Sequence, residues 1–307
     1  MVADLLSPVL LVLVTLVLGP YLLQVVDGAI GAAVAGRRPG RLWLEPLQRG
    51  AWLWLQPANH TERPDNLNWQ FAPAAYLALA AAGLAVVPWS ATLIATDLST
   101  GIVLWGSVEA LATVVIFLHG WSANALLPLI GAYRYVALGL SYILISMFVL
   151  IGVALPAESL QVSAVVESQR ELWNLIRQPL GLPLFLIVGL GVSFWGPLNF
   201  ADPADLAGGT RAELSGPSQL VWAWARAAML VAFSAMAATA FLGGWLGPWL
   251  PGPLWLALKT LAVMALLLWL GHSLARISPE RCVTLAWLLF LPLSFVDLIW
   301  AGLEAMR

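Results

Sequence analysis

The sequence predicts an all-α membrane protein with about eight transmembrane helices and a long first loop that carries an amphipathic helix. Of its 307 residues 61% are hydrophobic, only 10% are charged, and the mean hydropathy is +0.88. Soluble domains carry about 25% charged residues, so water-soluble enzymes are excluded. A net charge of −2 and a single lysine, Lys259, leave no basic surface for nucleic acid.

Long apolar runs set the number of spans. A bilayer core about 30 Å thick needs about 20 apolar residues per helix. One polytopic domain is therefore expected over residues 1–307, with spans near residues 5–26, 74–95, 101–118, 126–155, 183–198, 220–245, 254–274 and 283–301. In the long loop between the first two spans, residues 42–44 and 51–55 are apolar pieces among charges, which favours an amphipathic helix at the membrane surface.

The distribution of arginines predicts the orientation. The loops after spans 1, 3, 5 and 7 hold nine of them: Arg37, Arg38, Arg41, Arg49, Arg63, Arg134, Arg211, Arg276 and Arg281. The other side holds Arg170, Arg177 and Arg307. Because positive charge concentrates in cytoplasmic loops, both termini are expected to be extracytoplasmic.

Cofactor chemistry within this chain is not expected. The lone Cys282 excludes disulfides within the chain, zinc held by several cysteines and iron–sulfur clusters. His119 and His272 have no carboxylate or cysteine neighbours at metal-ligand spacing. His119 and His272 are expected at the membrane interface because they lie at span ends, and His60 is expected in solvent because it lies in the first loop.

Five short motifs, in a fixed order, resemble the H subunit family of respiratory complex I. They are GWSAN at residues 120–124, GAYR at 131–134, QPLG at 178–181, FLGGW at 241–245 and LPL at 291–293. The resemblance covers nearly the whole chain and implies the same eight spans. It also implies a membrane subunit that anchors a peripheral redox module and links it to proton- or cation-translocating subunits. The host reaction would then be quinone reduction in the inner or plasma membrane.

The resemblance also implies which residues act. A quinone would bind at the interface with a peripheral subunit, and other membrane subunits and the lipid bilayer would be further partners. The residues implied on the quinone and peripheral-arm side are Arg37, Arg38, Arg49, Trp52, Arg276 and Glu280. The candidate ion path or buried charges are Asp27, Glu109, Arg134, Arg226, Lys259 and Asp297.

Several charged positions depart from the family pattern. Arg49 stands where the family has an aspartate, and Trp52 where it has a lysine. Ile143, Val192 and Arg226 each stand where the family has a glutamate. A divergent member of the family is therefore expected. Two alternatives are a non-redox subunit of an ion-coupled transport complex and the membrane anchor of a related hydrogenase.

Individual charges within the spans allow two interpretations each. Glu109 has small neighbours one turn away and is either a proton or ion site or a packed, protonated acid. Arg226 is stabilised by a carboxylate, for which Glu109 is the candidate, by a lipid headgroup or by a cation–π contact with Trp222, or else it extends to the membrane surface. Asp297 either relays charge or lies near the outer headgroups. Outside the spans, the cluster of Arg37, Arg38 and Arg41 either sets topology or binds anionic lipid or an acidic peripheral subunit.

Overall fold

A computed structural model describes residues 2–38, 40–59 and 61–306, with side chains from residue 7 onward. The expectations for His60 and Arg307 lie outside the described residues. The described part of the chain is helical and contains no β-strand. The helices are α1 (Val2–Val34), α2 (Glu45–Leu55), α3 (Asn66–Val86), α4 (Gly101–Ser122), α5 (Leu126–Ala154), α6 (Val162–Ser168), α7 (Asn174–Arg177), α8 (Gly181–Val192), α9 (Gly216–Phe241), α10 (Gly252–Ser273), α11 (Pro279–Leu285) and α12 (Leu291–Ala305).

Seven helical segments within the described residues are long and apolar enough to cross a membrane. One of them joins α11 and α12 through a five-residue π-helical turn into a span over Pro279–Ala305. An eighth apolar helix, α8, has only 12 residues. The predicted fold class of about eight membrane helices is confirmed.

The amphipathic helix expected in the first loop is α2. Pro46 stands in its first turn, where the backbone N–H that proline lacks would have no helical partner. One side of α2 packs against α9 with Leu53 buried, while Trp52 and Trp54 on the two flanks of that side are exposed. Two exposed tryptophans are typical of a helix lying at a membrane surface.

The second span begins and ends earlier than expected. The apolar run predicts residues 74–95, but α3 covers Asn66–Val86. Asp65 caps its start by accepting a hydrogen bond from the Asn68 backbone N–H, which adds a polar first turn that hydropathy does not reveal. Pro88 follows its end, and a residue before proline avoids the helical conformation.

The helix α9 forms the centre of the bundle and is the most buried span. It packs against α1, α3, α8 and α10, and its many alanines allow the neighbouring helices to approach closely. The helices α3, α4 and α5 form a second packed row. We call the end that holds the loop 35–65, the start of α5, the segment 193–215 and the turn 274–278 the arginine-rich end, and the other the opposite end.

Candidate functional site

The short helix α8 brings several polar groups together inside the bundle. Its 12 residues rise about 18 Å, which is shorter than a bilayer core. Its last carbonyls therefore lie within the protein, and a helix end buried in this way needs hydrogen-bond donors from elsewhere. These donors come from α3, α5 and α9.

Three side chains donate hydrogen bonds to the carbonyl groups of the last residue of α8 and the two residues that follow it. The hydroxyls of Tyr76 and Tyr135 both donate to the Val192 carbonyl, at 3.0 and 2.8 Å. The guanidinium of Arg226 donates to the carbonyl oxygens of Ser193 (3.3 Å) and Phe194 (2.6 Å). A cation at a helix C-terminus also interacts favourably with the helix dipole. These contacts hold Arg226 inside the bundle instead of at the membrane surface.

Arg226 has a carboxylate neighbour, but it is Asp202 in the segment 193–215. An Arg226 nitrogen lies 4.0 Å from an Asp202 oxygen, and the guanidinium also stacks over the Phe194 and Trp195 rings. Glu109 instead accepts hydrogen bonds from Trp105 (2.6 Å) and Ser146 (2.8 Å). No Arg226–Glu109 ion pair occurs in the described part of the chain, so the hypothesis of that pair is wrong.

Asp202 is the acid at the centre of this site. It is buried and accepts hydrogen bonds from the Thr210 hydroxyl and from the Trp222 indole N–H at 3.2 Å. Burial raises the pKa of Asp202 above the ordinary aspartate value, and the positive charge of Arg226 opposes that rise. This residue is not among the site residues predicted from the sequence, although three acids in the segment between α8 and α9, Asp202, Asp205 and Glu213, offered a signal.

A small cavity opens beside this pair, between α2 and α9. Its volume is about 30 Å³, which is room for one or two water molecules. Its charged lining consists of Arg49, Arg211 and Arg226 with Asp202, so three guanidinium groups face one carboxylate. The cavity is therefore electropositive.

An apolar groove lies on the other side of the contact between α2 and α9. It measures about 380 Å³ and is lined by Pro46, Leu47, Gly50, Ala51, Leu77, Leu220, Val221 and Trp224. Adjacent faces of the same two helices thus line an apolar groove and a charged cavity. A molecule with a long apolar part and a small polar head matches such a pair of surfaces.

The rim of the arginine-rich end carries a second cluster of charges. Arg134 donates to Asp205 at 2.6 Å and Arg276 donates to the same carboxylate at 3.3 Å. The hydrogen bond from Arg134 lowers the pKa of Asp205 below the ordinary value. Both arginines thus hold the segment 193–215 in place against α5 and the turn after α10.

The sequence predicts both His119 and His272 at the membrane interface, but the structure places the two in different surroundings. His119 is fully buried, with its ring stacked on Trp222 at 4.0 Å and next to Trp69 at 5.6 Å. That part of the expectation is wrong, because α3 and α9 cover this face of α4. His272 is exposed at the end of α10 and lies 2.8 Å from the Asp27 carboxylate of α1.

Four residues predicted on the quinone side lie at the surface. Arg37 and Arg38 lie in the exposed loop after α1, and Glu280 lies in the exposed first turn of α11. Trp52 is 62% exposed, whereas Arg49 on the same helix lines the cavity. The structure therefore brings only Arg49 of the predicted α2 pair to the cavity.

Lys259 lies at the opposite end of the bundle. Its ammonium group donates to the carbonyl oxygens of Leu242 (2.6 Å), Gly244 (2.9 Å) and Leu246 (2.7 Å), in the turn after α9. The Trp173 ring lies 4.7 Å from the same nitrogen. All three hydrogen bonds of this ammonium group hold the turn after α9, and none reaches a carboxylate.

Asp297 also lies at the opposite end, at the start of α8. It is buried, accepts a hydrogen bond from the Gln178 amide at 2.5 Å, and faces the backbone N–H groups of Leu180 and Gly181. An acid at a helix N-terminus is favoured by the dipole. Asp297 and Arg226 thus occupy the two ends of one short helix, with charges of the signs that the dipole favours.

No cluster of three or more histidine, cysteine, aspartate or glutamate side chains that could hold a metal ion occurs among residues 2–38, 40–59 and 61–306. The site therefore consists of guanidinium, carboxyl, hydroxyl and aromatic groups. Such groups can bind, orient and exchange protons with a polar head.

The chain is similar to known proteins over most of its length. A family model described as NADH dehydrogenase matches residues 8–302. The H 1 subunit of the NADH-quinone oxidoreductase of Rhodopseudomonas palustris strain HaA2 is 32% identical over 240 residues, which make up 78% of this chain and 75% of the relative. The H 2 subunit of the same enzyme from strain ATCC BAA-98 / CGA009 has the same identity and coverage.

Proposed function

The chain belongs to the NADH dehydrogenase family, and on that premise we propose that it is the H-type membrane subunit of an NADH-quinone oxidoreductase. In this role it anchors the peripheral redox module and joins it to the ion-translocating membrane subunits. The names of its relatives favour this function over a non-redox transport subunit and over a hydrogenase anchor.

The observation that carries the proposal is the pair of surfaces on either side of the α2–α9 contact. A quinone combines an apolar tail with a polar ring that bears two carbonyl groups. The groove along Leu47, Leu220 and Trp224 suits the tail. Beside it, Arg49, Arg226 and Asp202 surround a space for one or two water molecules, so these side chains can bind a ring oxygen directly or through water while the ring itself lies in the groove. We propose that the quinone binds here, at the interface with a peripheral subunit.

The cavity side chains would help quinone reduction in two ways. Reduction adds two electrons, supplied by the peripheral module, and two protons to each quinone. Arg49 and Arg226 can stabilise negative charge on the ring oxygens, as preorganised donors do where charge develops. Burial raises the pKa of Asp202 above the ordinary aspartate value, so this acid holds a proton more readily than an exposed aspartate and can donate it to a ring oxygen.

Arg49 is the residue to test first. Arg49→Gln should raise the KM for quinone about tenfold, because a charge-assisted hydrogen bond is worth about 1.5–3 kcal/mol. Steady-state quinone reduction by membranes that contain the assembled complex measures this. Trp52→Ala is the matched control, because Trp52 is exposed on the same helix and should leave the KM unchanged. Equal KM values for Arg49→Gln and wild type would show that the quinone does not bind beside this cavity.

The orientation follows from the arginines, and we propose that the arginine-rich end faces the cytoplasm and both termini face away from it. Alkaline phosphatase fused after residue 307 should then be active, since this reporter folds only outside the cytoplasm. The same enzyme inserted after residue 40, in the first loop, should be inactive. Activity at residue 40 with none at the C-terminus would reverse the proposed orientation.

A further inference from the structure

Glu109 is buried without a countercharge. Its side chain is fully buried between α4 and α5, and both of its donors, the Trp105 indole and the Ser146 hydroxyl, bind the same oxygen, Oε1. The other oxygen, Oε2, has no hydrogen-bond partner. No cation within the described residues lies within 4.0 Å of this carboxyl group. A carboxylate there would be very costly, so the group is expected to hold a proton.

The surroundings of Glu109 offer further polar atoms that have no partner. The hydroxyls of Thr113 and Ser141 are buried and make no hydrogen bond. Thr113 follows Glu109 by one turn of α4, and it packs against Gly139 on α5. The apolar contact between α4 and α5 therefore contains a carboxyl group and two hydroxyl groups that make no hydrogen bond. Buried polar atoms without a hydrogen-bond partner are rare in native proteins, so a group of them calls for an explanation.

Glu109 also lies close to a position where the resemblance indicates a missing acid. Ile143 on α5 stands where the family has a glutamate. Ser146, which holds Glu109, follows Ile143 by three residues and so lies on nearly the same face of α5. The carboxyl group of Glu109 thus reaches α5 within one turn of position 143, from the neighbouring helix.

Polar groups extend from Glu109 to the cavity at the arginine-rich end. Tyr135 lies on α5 eleven residues before Ser146, about three helical turns nearer the arginine-rich end. Tyr135 shares the Val192 carbonyl with Tyr76, and Arg226 donates to the next two carbonyls along the chain, those of Ser193 and Phe194. A proton can pass along such a series through hydroxyls and intervening water molecules.

We propose that Glu109 is the membrane-buried proton-holding residue of this chain and takes the place of the acid absent at Ile143. The step is a proton transfer only: Oε2 gains a proton from the Tyr135 side and later releases it, and no electron moves. The inference rests on the proposed function, because the protons come from the same end of the molecule as the quinone cavity.

A variant that replaces the carboxyl group of Glu109 with an amide tests the proposal. Glu109→Gln keeps the oxygen that accepts from Trp105 and Ser146, so the fold is retained while the exchangeable proton is lost. Quinone reduction should continue at close to the wild-type rate, but protons moved per electron should fall at least about tenfold. Adding Ile143→Glu to this variant should restore proton movement. Adding Leu144→Glu instead, one residue further along α5 and 38% exposed, should not.

Unchanged proton movement in Glu109→Gln, or equal rescue by the two added glutamates, would overturn the proposal. Labelling with dicyclohexylcarbodiimide, which reacts with protonated carboxyl groups in apolar surroundings, provides an independent readout. Peptide mass spectrometry of wild-type membranes should show the label on Glu109. An unlabelled Glu109 beside a labelled Asp297 would also overturn it. A complex that reduces no quinone would refute the proposed function, while the labelling would still decide the role of Glu109.

Discussion

Replacing Arg226 with glutamine should lower the stability of the assembled protein by roughly 3–5 kcal/mol, as removal of one partner from other buried ion pairs does. The guanidinium is the charged neighbour of the buried Asp202 and also donates to the carbonyls of Ser193 and Phe194. Without it, Asp202 remains as an unpaired buried charge or must take up a proton. Thermal unfolding of the full chain in membranes, followed by resistance to protease, measures the loss.

The pH dependence of this loss follows from Asp202. Burial raises the pKa of Asp202, and Arg226 opposes that rise, so the pKa in Arg226→Gln should be higher still. A group whose folded-state pKa is raised contributes stability at low pH and loses that contribution as pH rises through its folded pKa. The deficit of Arg226→Gln relative to wild type should therefore be smallest in acid and grow as pH rises above the ordinary aspartate pKa.

Two further variants test whether the loss of stability comes from the pairing of Arg226 with Asp202. The double variant Arg226→Gln/Asp202→Asn should lose less stability than the sum of the two single changes, because it leaves no unpaired charge. Arg211→Gln, which alters another arginine of the same cavity, should cost much less, because the ion pair of Asp202 is with Arg226 and Arg211 is only half-buried. Strictly additive losses in the double variant would refute the coupling between Arg226 and Asp202.

Replacing Lys259 with methionine should lower stability by about 3 kcal/mol, because it leaves three carbonyl oxygens without their donor and each costs roughly 1 kcal/mol or more. These carbonyls, at Leu242, Gly244 and Leu246, form the turn after the central helix α9. The turn should loosen first, which hydrogen exchange of residues 242–251 would detect. Lys259→Arg should recover part of the loss, since arginine keeps the charge but its planar fork does not match three carbonyls around one nitrogen.

The same variant separates a structural role of Lys259 from a role in the ion path. If its three carbonyl contacts are its whole role, the complexes that still assemble with Lys259→Met should move the wild-type number of protons per electron. Wild-type stability together with lost proton movement would contradict this expectation and return Lys259 to the ion path.

The amino-acid sequence by itself determined the class of this protein. Its low charge, its apolar runs of bilayer length and the order of its motifs predict a helical membrane protein of the H subunit family of complex I. The amphipathic α2 was also visible, because the first loop mixes charged residues with the apolar pieces at residues 42–44 and 51–55. These properties depend on composition and on local order along the chain, and both can be read without knowing which helices touch.

Only the tertiary structure decided the partners of the buried charges. Arg226 could have paired with Glu109 as far as the sequence shows, but α9 places it at the end of α8 beside Asp202. His119, expected at the membrane surface, is covered by α3 and α9. The physical reason is that a membrane span is apolar on every side, so hydrophobic periodicity does not reveal which face meets another helix and which meets lipid. A buried charge is then satisfied by whatever the packing brings to it.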